Sequence, residues 1–240
     1  MYYLGRKLYF KKDDIYLKII NSFKYKGPKY VVLIDNNLSA ESILSQKFRF
    51  ILKNSYMNIM DGSFFAFIYN IIFFKRINSF HGGMLFSLFI NNSSFRQLIL
   101  GPPEHETKVL INNLKSKNVF SLELPFCSIE QFDNHIILSK INDLNPDIVW
   151  VSLGAPKQEN LIYSLIKCDS NNRLYIGSGA AFKFYHETLT SNDFSILGLK
   201  FIWLIRLYQE PRKQLKRFLR FLPTLPIVIF LIIFNNLRKS

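Results

Sequence analysis

The chain has 240 residues, of which 49% are hydrophobic and 16% aromatic, so it is not a disordered chain and is long enough for one large α/β domain or a domain with an appendage. A net charge of +14 points to a polyanionic partner: nucleic acid, anionic lipid or phosphorylated substrates. The two cysteines, Cys127 and Cys168, are far apart and have no histidine at zinc-ligand spacing, which argues against a disulfide framework or metal centre and fits a reducing cytoplasm.

The N-terminal stretch MYYLGRKLYFKKDDIYLKII has no continuous apolar run, so no signal peptide is expected. The first buried-strand pattern is YVVLID at 30–35, and the amphipathic stretch SAESILSQKFRFILKN follows it. The run SYMNI then leads into DGSFF, where Asp61 stands beside Gly62. A carboxylate at such a turn can face substrate as a general base, or it can cap a helix; both readings stay open. Four histidines, His81, His105, His135 and His186, form no cluster, and His81, followed by Gly82 and Gly83, is the one to follow into the structure.

QLILG at 97–101, DIVWVSLG at 147–154 and RLYIGSG at 173–179 are further buried strands, separated by the helical patterns EHETKVLINNLKSKN and SIEQFDNHIILSKINDLN. Strand, helix and strand in alternation predict an α/β fold, a parallel sheet flanked by crossover helices. Such sheets bind ligands beyond the carboxyl ends of their strands. Gly101, Gly154 and Gly177 each fall at such an end, which predicts a nucleotide-sized crevice, with Gln158 and Glu159 opening the helix after Gly154-Ala155-Pro156-Lys157. GSGAAF is not a dinucleotide fingerprint, because Phe182 stands where the third glycine would pack helix on strand. There is no DxD pair to clamp a metal on a nucleotide diphosphate, so neither metal nor cofactor is expected.

Residues 201–240 hold eight Lys or Arg against the single Glu210, half of the chain's net charge. Pro211 should end one helix and begin another, in which Lys213, Lys216, Arg217 and Arg220 form a basic stripe opposite Leu215, Phe218, Leu219 and Leu222. An apolar run follows from Phe221 to Phe234, broken by Pro223, Thr224 and Pro226, and is shorter than the ~20 residues of a spanning helix. A basic face beside a continuous apolar tail suits an anionic membrane surface, not nucleic acid. The alternative is a core helix with a solvated basic face.

LNPDIVWVSLGAPKQEN, IGSGAAFKF and LGLKFIWLIRLYQEPRKQLKRFL, in this order and spacing, resemble the WecG/TagA/CpsF family of bacterial glycosyltransferases (glycosyltransferase family 26) over roughly residues 30–220. The resemblance implies a metal-independent, Rossmann-like core over residues 1–198 and a C-terminal membrane-associating appendage over 199–240. It implies inverting transfer of a sugar, N-acetylmannosamine, its uronic acid or a related hexose, from a UDP-sugar to a polyprenyl-diphosphate-linked sugar. The product would be a teichoic acid linkage unit, enterobacterial common antigen, or a capsular or exopolysaccharide, made on the cytoplasmic face of the membrane by a peripheral enzyme, with a homo-oligomer left open. A catalytically degenerate relative that binds lipid-linked sugar or a partner transferase is the alternative.

By the same resemblance, Asp61 matches the residue that deprotonates the acceptor, Asn36 (or Asn37) the asparagine after the first strand, and Gln158 and Glu159 the pair beside the donor. Arg206, Lys213 and Lys216 match appendage cations suited to a diphosphate, a role that Arg212 and Arg217 could share. Ile34, Phe64, Ser79 and Lys183 replace the family's threonine, glycine, arginine and aspartate, with Arg76 or His81 available in place of the arginine.

Overall fold

The computed structural model describes residues 1–78, 80–179, 181–182, 185, 195–196, 199–200 and 211–238. Eight strands form a mostly parallel sheet flanked by helices: β1 (Tyr2–Tyr3), β2 (Arg6–Tyr9), β3 (Lys29–Ile34), β4 (Met57–Met60), β5 (Gln97–Gly101), β6 (Val119–Glu123), β7 (Ile148–Val151) and β8 (Leu174–Gly177). Their order across the sheet is β1-β2-β4-β3-β8-β7-β5-β6, with β1 antiparallel to β2. A short antiparallel pair, β9 (Ser195–Ile196) and β10 (Leu199–Lys200), forms a second sheet. β5, β7 and β8 are buried along their whole length, as expected for parallel strands covered on both faces.

The helices are α1 (Lys12–Ser22), α2 (Asn36–Leu44), α3 (Gln46–Asn54), α4 (Ser63–Phe73), α5 (Gly82–Phe89), α6 (Glu104–Asn113), α7 (Asn134–Leu144), α8 (Lys157–Ile166), α9 (Pro211–Phe221) and α10 (Leu225–Leu237). The single helix expected after the first strand is two. The Asp35 carboxylate caps α2 by accepting the Leu38 N–H at 2.8 Å, and Ser45 ends α2 and caps α3 by accepting the Phe48 N–H at 3.1 Å. The stretch expected as one helix over 128–145 is a 3₁₀ turn, Ile129–Gln131, followed by α7, which Asp133 caps.

The chain divides into two compact units, one of Met1–Ile15, Leu33–His81 and Ser191–Ser240, the other of Tyr16–Val32 and Gly82–Thr190. The second unit is built around Trp150 of β7, which is fully buried. Its indole N–H donates to the Gln97 side-chain oxygen at 2.9 Å, and the Gln97 amide donates to the Phe89 carbonyl at 2.7 Å, so both of these polar side chains are satisfied within the core. In the first unit, the buried Tyr3 hydroxyl meets Ser42 Oγ at 2.9 Å, and burial pushes its pKa up to about 12.

The prolines of the tail do not interrupt it as expected. Pro223 lies in a 3₁₀ turn, Leu222–Thr224, and Pro226 in the first turn of α10, positions where a missing N–H costs no helix bond. Leu215–Leu237 is therefore a 23-residue helical stretch, long and apolar enough by length and composition to cross a membrane. It nevertheless has a protein side. Val228, Ile232 and Asn236 are buried, and the Asn236 amide accepts the Tyr2 N–H at 2.9 Å and donates to the Tyr2 carbonyl at 3.0 Å. Those bonds occupy the backbone of β1, the outermost strand of its sheet.

Candidate active site

In the first unit, the carboxyl ends of β3 and β4 carry the polar residues. Ile34 ends β3, Asp35 caps α2, and Asn36 is the first residue of that helix. Asn36 is half-buried whereas Asn37 is buried, so Asn36 is the more available of the two amides. Asp61 directly follows β4; its N–H donates to the Ile34 carbonyl at 2.9 Å, and it forms an isolated parallel bridge with Phe80. Helix α4 begins at Ser63 with Gly62 as its N-cap, at φ +87° and without a side-chain cap bond. Asp61 therefore stands one residue before the N-cap position. A glycine suits the left-handed φ of that turn.

His81 is drawn to the same place by the Phe80 bridge. Its Nδ1 lies 3.9 Å from Asp61 Oδ1, with the imidazole 16% and the carboxylate 26% exposed. This is an ion-pair distance, longer than a hydrogen bond. Of the two residues offered as replacements for the family's arginine, His81 is the one set beside Asp61, while Arg76 is exposed after α4. Nothing in the spacing of Asp61 and His81 announces this pairing; it follows from the bridge between Asp61 and Phe80.

In the second unit, parallel pairing brings three strand ends to one level: Val151 pairs with Leu100 on one side and Gly177 on the other. Gly101, at φ +119°, ends β5, and a Cβ there would lie 2.8 Å from Leu153 Cδ2. Gly154 also has positive φ, and the cis Ala155-Pro156 bond leads into α8, with Pro156 at the N-cap. Lys157 opens the helix; its ammonium donates to the Cys127 carbonyl and lies 4.7 Å from the centre of the Phe132 ring.

Gln158 and Glu159 are 4% and 0% exposed. The Gln158 amide donates to Glu159 Oε1 at 2.7 Å, and Gln158 Oε1 accepts the Gly179 N–H at 2.9 Å. Gly177 lies so close that a Cβ on it would be 2.8 Å from both Gln158 Nε2 and Glu159 Oε1. The pair thus holds the Gly177-Ser178-Gly179 turn from below. Ser152 Oγ donates to the Gly179 carbonyl and Ser178 Oγ to the Val151 carbonyl at 3.3 Å, tying the turn to β7, a contribution that the sequence did not signal.

Of the appendage cations, Lys216 is exposed and Arg217 half-buried on α9, and Arg220 pairs with Glu41 of α2. Leu215, Phe218, Leu219 and Leu222 are each about half exposed, so the apolar side of this helix does not fill a core. Ser79, Lys183 and Arg206 lie outside the described residues, as do the side chains of Phe64 and Lys213.

Glycine-ended turns and helix N-termini at the carboxyl ends of an open α/β sheet are where enzymes of this class bind their ligands. The family model described as "Glycosyl transferase WecG/TagA/CpsF family" matches residues 9–240, nearly the whole chain, and the chain belongs to that family. Its class is that of a transferase acting in cell-surface polysaccharide synthesis. No curated protein matches the chain.

Proposed function

We propose that the protein is an inverting glycosyltransferase that moves a sugar, N-acetylmannosamine, its uronic acid or a related hexose, from a UDP donor to a polyprenyl-diphosphate-linked sugar. The observation that carries this reading is the position of Asp61: a partly exposed carboxylate directly after β4, with His81 Nδ1 3.9 Å away, in a chain of a glycosyltransferase family. The acceptor hydroxyl oxygen attacks the anomeric carbon from the face opposite the leaving group. Its proton passes to the Asp61 carboxylate, and the bond from the anomeric carbon to the phosphate oxygen breaks with its electron pair leaving on UDP. General-base assistance of this kind contributes about 10²- to 10⁴-fold.

Asn36 positions the substrate at the end of β3, and Gly101, Gly154 and Gly177 let backbone approach the nucleotide. Gln158 and Glu159 act by fixing the Gly177-Ser178-Gly179 turn, in keeping with their burial. Arg206, Lys213, Lys216 and Arg217 neutralise diphosphate, as charge-assisted contacts to phosphate do. Residues 1–198 serve as the transferase core and 199–240 as the appendage that seats the enzyme on the cytoplasmic face of an anionic membrane. The exposed apolar side of α9, flanked by Lys and Arg, supports that last assignment.

A screen of UDP-sugars against a synthetic polyprenyl-diphosphate sugar tests the proposal. The expected result is UDP release with one donor and an inverted anomeric linkage in the product. A folded protein that binds the lipid-linked sugar but releases UDP from no donor is instead a non-catalytic binder.

A further inference from the structure

Helix α4 has an exposed apolar face. Phe65, Ala66 and Tyr69 are buried, whereas Phe67 and Ile71 are 43% and 55% exposed, and Phe74, one residue beyond the helix, is 95% exposed. Residues 67, 71 and 74 follow the i, i+4, i+7 spacing of one helix face. Phe74 also has φ +50° and ψ +39°, a left-handed conformation that residues with a side chain seldom adopt. A phenylalanine held in that conformation with its ring in water is unfavourable on both counts, and such outliers concentrate where they serve a purpose. Lys75 and Arg76 follow immediately, and both are exposed.

The neighbouring element says what chemistry would cover this face. Helix α10 contacts α4 and presents Ile227, Phe230, Phe234 and Leu237 to the outside, while its opposite side is fixed to the protein through Val228, Ile232 and Asn236. Exposed apolar residues on two contacting helices, with Lys75 and Arg76 directly after one of them, are complementary to an anionic leaflet: rings among the acyl chains, cations among the headgroups.

We propose that α4 is a second footing on the membrane, separate in sequence from the C-terminal appendage, in which Phe67, Ile71 and Phe74 enter the leaflet and Lys75 and Arg76 contact anionic headgroups. The inference rests on the membrane-surface reading above and adds a distinct set of residues to it. Two footings fix the orientation of the unit that carries Asp61 relative to the bilayer, where a single helix would leave rotation about its axis.

The test is co-sedimentation of the full chain with vesicles of phosphatidylglycerol and phosphatidylcholine. Phe74→Asn lowers vesicle affinity by about tenfold, the equivalent of burying most of one ring, and leaves the fold intact, because asparagine tolerates the left-handed region. Lys75→Gln and Arg76→Gln each lower it about fivefold, with no further loss on pure phosphatidylcholine. The emission of a Phe74→Trp protein shifts to the blue on vesicles. If the wild-type chain binds vesicles but Phe74→Asn and Phe67→Gln/Ile71→Gln/Phe74→Asn bind equally well, the second footing is wrong and the tail alone suffices. If the same substitutions change only the oligomeric state, the face is a contact between copies and the lipid proposal is overturned. If the wild type binds no vesicles, the membrane reading itself falls and this inference with it.

Discussion

Replacing Gln158 by leucine separates a residue that shapes the site from one that merely touches substrate. The side chain is 4% exposed and both of its polar ends are used, one accepting the Gly179 N–H at 2.9 Å and the other donating to Glu159 at 2.7 Å. Leucine is close in volume but carries no polar atom. The loss comprises two hydrogen bonds, about 1 kcal/mol each, with a further cost of about 1 to 3 kcal/mol for the buried groups deprived of a partner. A total of about 3 to 5 kcal/mol lowers the melting temperature of a chain this size by about 10 °C. Thermal unfolding followed by circular dichroism measures the shift, and calorimetric titration with UDP measures the accompanying loss of affinity. A Gln158→Leu protein that melts with the wild type while losing UDP binding would refute the positioning role and restore a direct contact with the donor.

Asn236→Leu leaves the Tyr2 N–H and carbonyl without their side-chain partner; it should cost about 2 to 3 kcal/mol in thermal unfolding in detergent, and an unchanged melting curve would mean that α10 does not rest on β1. Burial raises the Tyr3 phenol from 10.0 to about 12, so the folded chain keeps this proton where the unfolded chain gives it up. The resulting contribution, about 2 to 3 kcal/mol, is complete below pH 10 and lost by pH 12. Tyr3→Phe should therefore lose unfolding free energy less steeply than the wild type across that interval in urea titrations, and parallel pH curves would contradict the assignment.

Much of the sheet is legible in the sequence because buried parallel strands need no alternation: QLILG is β5 residue for residue, and DIVWVSLG and RLYIGSG contain β7 and β8. β6 passes unnoticed because VFSLE is half-buried after its first residue, ends on the exposed Glu123 and lacks that continuous apolar signal. β1 and β2 are too short and too polar to stand out beside the basic residues around them. The break between α2 and α3 was written in Ser45, whose cap preference competes with a helical pattern that runs through it. Gly101 and Gly177 declared themselves as strand ends, whereas Gly154, expected at another, lies in the loop beyond β7, which stops at Val151; the depth at which Gln158 and Glu159 lie is decided by how closely Gly177 packs on them, which is a tertiary fact. The Asp61 and His81 contact is of the same kind, made by a bridge between residues far apart in the chain.

The central claim is that the Asp61 carboxylate receives the proton of the attacking hydroxyl. Its most direct test is UDP release by Asp61→Asn, with the donor and lipid-diphosphate acceptor at saturation and UDP affinity measured alongside. The account predicts kcat lower by about 10²- to 10⁴-fold with UDP binding and melting temperature unchanged. A folded Asp61→Asn protein that turns over at the wild-type rate would contradict it.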